Sequence, residues 1–407
     1  MRKTLLLALT SSLLLGEVEI SGHFDITSQF YLTKPDSKHQ NSFTAKQILE
    51  LKYEKDEITA FVKLYAQEAY YDLKGSSEQT KRSFARIDEA YLKYDRDNDA
   101  FEIGKSIKFW GALELRNIVD GFNPNELRDD LFITNKLGVW NSSYTYFTDN
   151  GEFSVILKLF EQDQKMAESP YVYYIFPDAV NYNHNLSTSK GELRPSIYLT
   201  YSGSTDTQYP IDYAFIYENG YDSQRYFSQV VNNPYSYVQN AYLVEKFMTY
   251  NTMVIDATLI KLEALYAVVK DDLYVGDYSH VALGLEHTLE DIYDGSSLGL
   301  ISEYYRYDTY EDNKYTDLQL FETMQNDLFI GARYSFNNTN SSSIIGGVVY
   351  DLEYIEQTYY AKYESQIADN FKLEVDYYFI EPSKKEKTAF SLLGQHQRVG
   401  VNVAYYF

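Results

Sequence analysis

Residues 18–32 read VEISGHFDITSQFYL. In alternate positions, Val18, Ile20, Gly22, Phe24, Ile26, Ser28, Phe30 and Leu32 fall on one face, and Glu19, Ser21, His23, Asp25, Thr27, Gln29 and Tyr31 on the other. Successive side chains of a strand point to opposite sides. The stretch is therefore a long strand with one apolar and one polar surface, as needed by a segment lying between hydrocarbon and water. The pattern recurs along the chain. Phe371, Leu373, Val375, Tyr377 and Phe379 oppose Lys372, Glu374 and Asp376. Val281, Leu283 and Leu285 oppose Gly284 and Glu286, and Leu328, Ile330, Ala332, Tyr334 and Phe336 oppose Gly331, Arg333 and Ser335.

A water-soluble sandwich alternates too, but two features point to a membrane. Many strands reach about ten residues, the length of a tilted bilayer crossing, against about five or six in ordinary sheets. The connections also alternate in length. Short turns are expected at 55–57, 95–99, 148–151, 203–208, around Asn251, and at 290–295, 337–341 and 368–370. Long loops are expected near 33–42, 72–83, 110–136, 161–193, 219–238, 271–277, 311–324 and 382–394. Tight turns at one end and long loops at the other are the asymmetry of outer-membrane barrels. The count is about 18 antiparallel strands, with 16 as the alternative, and an even number puts both termini on one side. Segments 84–95 and 239–270 leave open which face is apolar, and the hairpin near 351–358 carries no clear turn signal.

Composition agrees. Among 407 residues there are 43 tyrosines, 2 tryptophans and 8 prolines, and aromatics make up 17%. Strands favour aromatics, membrane barrels add girdles of them, and ladders exclude proline. Mean hydropathy is −0.41, too low for a helical membrane protein. There is no cysteine, which excludes disulfides, thiolate metal sites and thiol catalysis. The net charge is −23, and −25 once Arg2 and Lys3 leave with the leader. Such a chain repels nucleic acid, and it favours cations if its acids line a pore.

Residues 1–16, MRKTLLLALTSSLLLG, have a basic start, a short leucine core and a small residue at Gly16. This is a secretory signal, too short to span a bilayer. Residues 17–407 are then one barrel domain, and the strands begin too early to leave room for the plug of an active transporter. The last segment, QHQRVGVNVAYYF, puts Val399, Val401, Val403, Tyr405 and Phe407 on one face. It resembles the assembly signal of outer-membrane proteins, a final strand ending in phenylalanine; Val403, Tyr405 and Phe407 are its candidate carriers.

No catalytic constellation stands out. The six histidines are scattered, and His280 and His287 are seven apart on one strand, too far to share an ion. No phosphate loop, dinucleotide fingerprint or nucleophile elbow is present. Neither a cofactor nor a metal is expected, and an enzymatic role is the least supported class.

The informative segment is 102–133, EIGKSIKFWGALELRNIVDGFNPNELRDDLFI. Alternation stops after Phe109. Leu113, Leu115 and Ile118 are spaced for a short helix, Asp120 to Pro124 form a turn, and Asn125 is placed to cap a second helical turn carrying Glu126 to Asp130. A loop this apolar and this charged is costly in open water. Residues 110–136 are therefore expected to fold inward and narrow the lumen, with Trp110, Glu114, Arg116, Asp120, Asn123, Pro124, Arg128, Asp129 and Asp130 at the constriction, where charge acts at short range. The clearer strands give His23, Asp25, Glu286, Arg333, Lys372, Glu374, Asp376 and Arg398 as lumen-lining residues.

Gly104, Lys105, Trp110, Gly111, Asp120, Asn123, Pro124 and Leu127 resemble the box G-(K/R)-x(4)-W-G-x(n)-D-x-x-N-P-x-x-L of a group of proteobacterial, porin-like outer-membrane barrels. The box covers about thirty residues, and residues 112–116 depart from the small or polar residues usual there. The resemblance implies a barrel with an internal constriction rather than an enzyme. On this reading the chain passes small hydrophilic solutes or ions by diffusion. Its surroundings are outer-membrane lipid and lipopolysaccharide, and the barrel-assembly machinery during biogenesis; a homotrimer is compatible with it. The alternative is a non-conducting barrel whose loops at 161–193 and 219–238 bind a ligand or surface.

Overall fold

The computed structural model describes residues 17–34, 38–74, 80–133, 135–178, 180–230, 233–270, 272–310 and 322–407. The expected leader at 1–16 and most of the loop at 311–324 lie outside them.

In chain order the strands are β1 (Glu17–Thr33), β2 (Asn41–Lys55), β3 (Ile58–Ala69), β4 (Phe84–Asp95), β5 (Asp99–Ser106), β6 (Glu126–Leu127), β7 (Val139–Thr148), β8 (Gly151–Lys158), β9 (Lys165–Met166), β10 (Asn181–Thr188), β11 (Ser196–Ser204) and β12 (Ile211–Tyr221). They continue as β13 (Tyr226–Val230), β14 (Asn233–Ala241), β15 (Leu243–Ile255), β16 (Thr258–Lys270), β17 (Tyr278–Leu289), β18 (Ser297–Thr309), β19 (Asn326–Ser335), β20 (Ser343–Asp351), β21 (Gln357–Ala368), β22 (Phe371–Glu381) and β23 (His396–Tyr406). Among the described residues, β6, β9, β10, β13 and β14 lie in connections, and the other strands form one 18-stranded sheet. Each of these strands pairs antiparallel with its neighbour, and β1 bonds to both β2 and β23, which closes the sheet into a barrel. Closure removes the free edges that hydrocarbon cannot solvate.

Connections at one end are short, such as 56–57, 149–150, 256–257 and 369–370; those at the other are long, such as 107–138, 159–195 and 222–242. The turn expected around Asn251 is not there. Asn251 sits within β15, opposite Tyr213 and Leu262, and the chain reverses at Asp256, whose φ is +52°. Asp56, φ +51°, does the same between β2 and β3. Tight hairpins need positive φ, which aspartate tolerates nearly as well as asparagine. The connection at 352–356, which lacked a turn signal, joins β20 to β21.

Burial is inverted relative to a soluble sheet. Ile20 and Leu32 of β1 are 53% and 61% exposed, whereas Asp25 and Gln29 are buried. Exposed rings gather near both strand ends: Tyr94, Tyr146, Phe153, Phe371 and Tyr405 toward the turns, and Phe30, Phe43, Tyr266, Tyr350 and Tyr359 toward the loops. These are the two aromatic belts of a bilayer-spanning barrel. No helix among the described residues is long and apolar enough to cross a membrane.

The two ambiguous segments have separate causes. In β4 the register against β3 shifts between Lys63 and Leu64. Ile87 is exposed before the bulge and Leu92 and Tyr94 after it, so the apolar set changes from odd to even positions. In β15 and β16 both faces are apolar. Phe247 and Tyr266 face outward, while Met248 and Leu265 are buried inside against Trp110, Val119 and Phe122.

Candidate functional site

The segment between β5 and β7 enters the barrel and is tied to its wall by backbone donors. On β16, Glu263 accepts the N–H groups of Ala112 (2.6 Å), Leu113 (3.3 Å), Ile118 (2.7 Å) and Val119 (3.3 Å). On β18, Glu303 accepts those of Glu114 (2.7 Å) and Leu115 (3.0 Å), and the Tyr305 hydroxyl accepts that of Arg116 (3.2 Å). Here the expected helices are absent: residues 107–125 curl around two carboxylates. An inward loop cannot leave its amides dry, and wall carboxylates supply acceptors that helical bonds would otherwise provide. Gly111, φ +131°, makes the curl possible, because a Cβ there would meet the Asn117 side chain at 2.3 Å.

The base of the loop is stapled by Asn123 rather than capped by Asn125. The Asn123 side chain accepts the Lys108 N–H (2.8 Å) and donates to the carbonyls of Ser106 (3.2 Å) and Leu137 (2.8 Å). Leu137 N–H in turn donates to the Pro124 carbonyl at 2.9 Å. Asp120 accepts the Trp110 N–H at 3.2 Å and pairs with Lys136. Burial pushes the Asp120 carboxyl up and the Lys136 ammonium down from their ordinary values, and each partner's charge opposes that drift. The Trp110 ring packs against Phe122 and Tyr198, with centroids 5.7 and 5.6 Å away. Residues 126–130 form no helical turn: β6 pairs with β9 of the next loop, and Asn125 bridges to Lys136.

The charged residues fall into groups. Glu114 meets Arg333 at 2.5 Å, Arg333 meets Glu286 at 3.0 Å, and Lys261 meets Glu286 at 3.2 Å. Arg116 pairs with Glu322, and Arg128 pairs with Glu126 (2.5 Å) and lies 3.5 Å over the Phe84 ring. Asp129 is held by Lys46 (3.0 Å), Arg82 (2.8 Å) and Gln67 (2.7 Å). Burial alone would push its carboxyl up, but Lys46 and Arg82 outweigh that and hold it well below the usual carboxylate range. Asp130 pairs with Arg398, which also meets Asp376 at 2.9 Å. On the remaining wall, His23 lies 3.3 Å from Asp25, Lys372 3.0 Å from Glu364, and Glu374 3.9 Å from Lys362. Val403, Tyr405 and Phe407 stand apart, at the seam; Phe407 exchanges backbone hydrogen bonds with Gly22 (3.1 and 3.2 Å).

Among the described residues a cavity of about 700 Å³ remains between the loop and the walls, bordered by Lys63, Arg86, Phe109, Arg116, Lys136 and Lys246 with matching acids. Each of these cations has a carboxylate partner. No group of three His, Cys, Asp or Glu side chains converges on a metal site among the described residues.

Sequence reasoning missed Glu263, Glu303, Lys46 and Arg82. Glu263 did leave a trace: it is the single acid in LIKLEALYAVV, residues 259–269, a run otherwise apolar but for Lys261.

No family model matches the chain, and no curated protein sequence matches it. Solved structures do. OccAB4 of Acinetobacter baumannii aligns over 97% of this chain and 98% of its own, at TM-score 0.60 and 9% identity. OccAB2 of the same organism aligns over 96% and 98%, at TM-score 0.56 and 10% identity. OccD3 (OpdP) of Pseudomonas aeruginosa aligns over 97% and 92%, at TM-score 0.55 and 9% identity. At such identities the likeness is one of fold. Taken with the apolar outer surface and the closed ring of strands, it makes the chain an outer-membrane β-barrel of porin-like architecture.

Proposed function

We propose that the chain is a passive channel for small hydrophilic solutes or ions, with no catalytic step. One observation carries the reading: inside the barrel, the loop of residues 107–138 is pinned to the wall, and a cavity of about 700 Å³ edged by ion pairs remains beside it. Closely spaced charges of both signs set a steep local field, and dielectric screening is weak there.

The proposal includes a cation preference. It draws on the net charge of −23 and on the pairing, among the described residues, of the cations that edge the cavity, Lys63, Arg86, Arg116, Lys136 and Lys246, each with a carboxylate. Trp110, Glu114, Arg116, Asp120, Asn123, Pro124 and Arg128 act by holding the constriction, and Asp129 and Asp130 by cancelling Lys46, Arg82 and Arg398. Planar-bilayer recording of the purified protein tests this: discrete ohmic steps with a cation-selective reversal potential are expected, and silence at high protein loading would overturn it.

A second reading has its own observation. Tyr171 and Tyr173, in the loop of residues 159–195, are fully buried against Tyr31 of β1, so this loop packs down into the barrel. A ligand-binding barrel closed by that loop would be silent in the same recordings.

A further inference from the structure

One outward side chain of β2 is a polar amide, Gln47. In register it stands opposite Phe24 of β1 and Ala66 of β3, and directly opposed residues of a ladder point to the same face. Phe24 is 41% exposed on the lipid-facing surface, and Gln47 is exposed beside it. Along the strand, Gln47 is four residues from Phe43, in the loop-side aromatic belt, and eight from Lys55, where β2 ends. Eight residues of a strand tilted by 35–45° rise about 20 Å, within an apolar band about 25 Å tall. The amide therefore lies at hydrocarbon depth, about 10 Å short of the belt on the same geometry.

Among the described residues the Gln47 side chain has no hydrogen-bond partner. Asn251, the outward amide of β15, is different: its Nδ2 donates to Thr249 Oγ1 at 3.0 Å. Lipid offers neither donors nor acceptors, so a bare amide facing acyl chains is costly. The surface around it is also unlike the far wall. Ala45 is the next outward residue of β2, and Ala66 and Ala85 follow across β3 and β4. On β15, β17 and β18 the corresponding outward residues are Phe247, Leu283 and Leu300. Small residues let protein surfaces approach closely in a membrane, and polar groups bond across such contacts.

We infer that the outer face of β2–β4 around Gln47 is a contact between copies of this chain, arranged about a symmetry axis at Gln47. The occupant follows from the amide itself. It is a donor and an acceptor at once, so copies of it about an axis complete one another: each donates to the next, and the ring closes. An off-axis contact has less to offer, since the Asn251 amide is already engaged with Thr249. The contact does not depend on whether the barrel conducts.

The chain has no cysteine, so a single introduced thiol reports without ambiguity. Gln47→Cys, oxidised in intact outer membranes, is expected to give a disulfide-linked dimer of this chain, and Leu283→Cys on the far wall to give none. The unaltered protein, weighed in polymer-excised discs of native membrane, is expected to be one species of two or three copies. Gln47→Leu, checked for the heat-modifiable gel mobility of a folded barrel, is expected to lower the share of that species at least tenfold. A monomeric unaltered protein, a Gln47→Cys thiol that links only to a different protein or to nothing, or equal linking from Leu283→Cys would overturn the contact.

Discussion

Asp130, in the inward loop, is ion-paired with Arg398 on the closing strand β23, so loop and barrel seam share one contact. Arg398 is fully buried and Asp130 nearly so. Removing one member of such a pair strands the other, at about 3–5 kcal/mol. Arg398→Met is therefore expected to lower the temperature at which the folded gel band converts to the unfolded one, and the double change Arg398→Met with Asp130→Asn to recover much of the loss. Equal destabilisation in single and double variants would show that the pair is not the cause.

Neutralising Asp129 releases Lys46 and Arg82 from their shared partner. Positive charge then appears in the lumen without any base having been added. Asp129→Asn with Asp130→Asn is expected to move the reversal potential in a salt gradient toward anions. An unmoved potential would take both residues out of the permeation path.

The loop's attachment rests on Glu263. Glutamine keeps the size but replaces one accepting oxygen with a donor, so it cannot receive all four N–H groups. Each buried amide left unpaired costs about 1–3 kcal/mol. Glu263→Gln is expected to give a folded barrel whose single-channel current is noisier and larger. Trp110→Ala, which empties a space between Phe122 and Tyr198, is expected to cost about 3–5 kcal/mol and to act in the same direction; quiet traces of unchanged size in both variants would contradict the pinned-loop reading.

Asp72 lies outside the membrane, in the short helix α1 (Tyr70–Lys74). It accepts the backbone N–H groups of Thr80 (2.5 Å), Arg82 (2.7 Å) and Ser83 (2.7 Å). Burial pushes its carboxyl up, but these bonds outweigh burial and hold it below the ordinary aspartate value. A carboxyl depressed in the folded state contributes stability that is complete above its unfolded pKa, and that contribution is lost as pH falls through the folded one. Protection of the Thr80, Arg82 and Ser83 amides in hydrogen exchange, corrected for intrinsic rates, is expected to hold above about pH 4 and to fall below it. Asp72→Asn is expected to lack this step; an identical profile would assign it to another group.

The barrel was legible because lipid imposes one rule on every crossing. Ile20 and Leu32 must meet hydrocarbon, Asp25 and Gln29 must not, and no tertiary detail alters that. The errors came where tertiary contact overrides the local pattern. Asn251 looks like a turn residue, yet pairing with Tyr213 and Leu262 carries the strand past it to Asp256. In 113–118, apolar spacing suited a helix, but Glu263 and Glu303, some 150 and 189 positions away, take up the amides. Partners so distant in sequence leave no local periodicity. Asp129 and Asp130 were visible as charges; Lys46, Arg82 and Arg398, which cancel them, become their neighbours only when the barrel closes.

The seam where β1 meets β23 joins the two ends of the chain's sheet. Until the final strand arrives, one whole flank of β1 has nothing to bond to, from His23 to Thr33. A flank of that length with no ladder partner is a template for pairing with another chain, so whatever loosens this seam is expected to bring aggregation before the rest of the wall gives way.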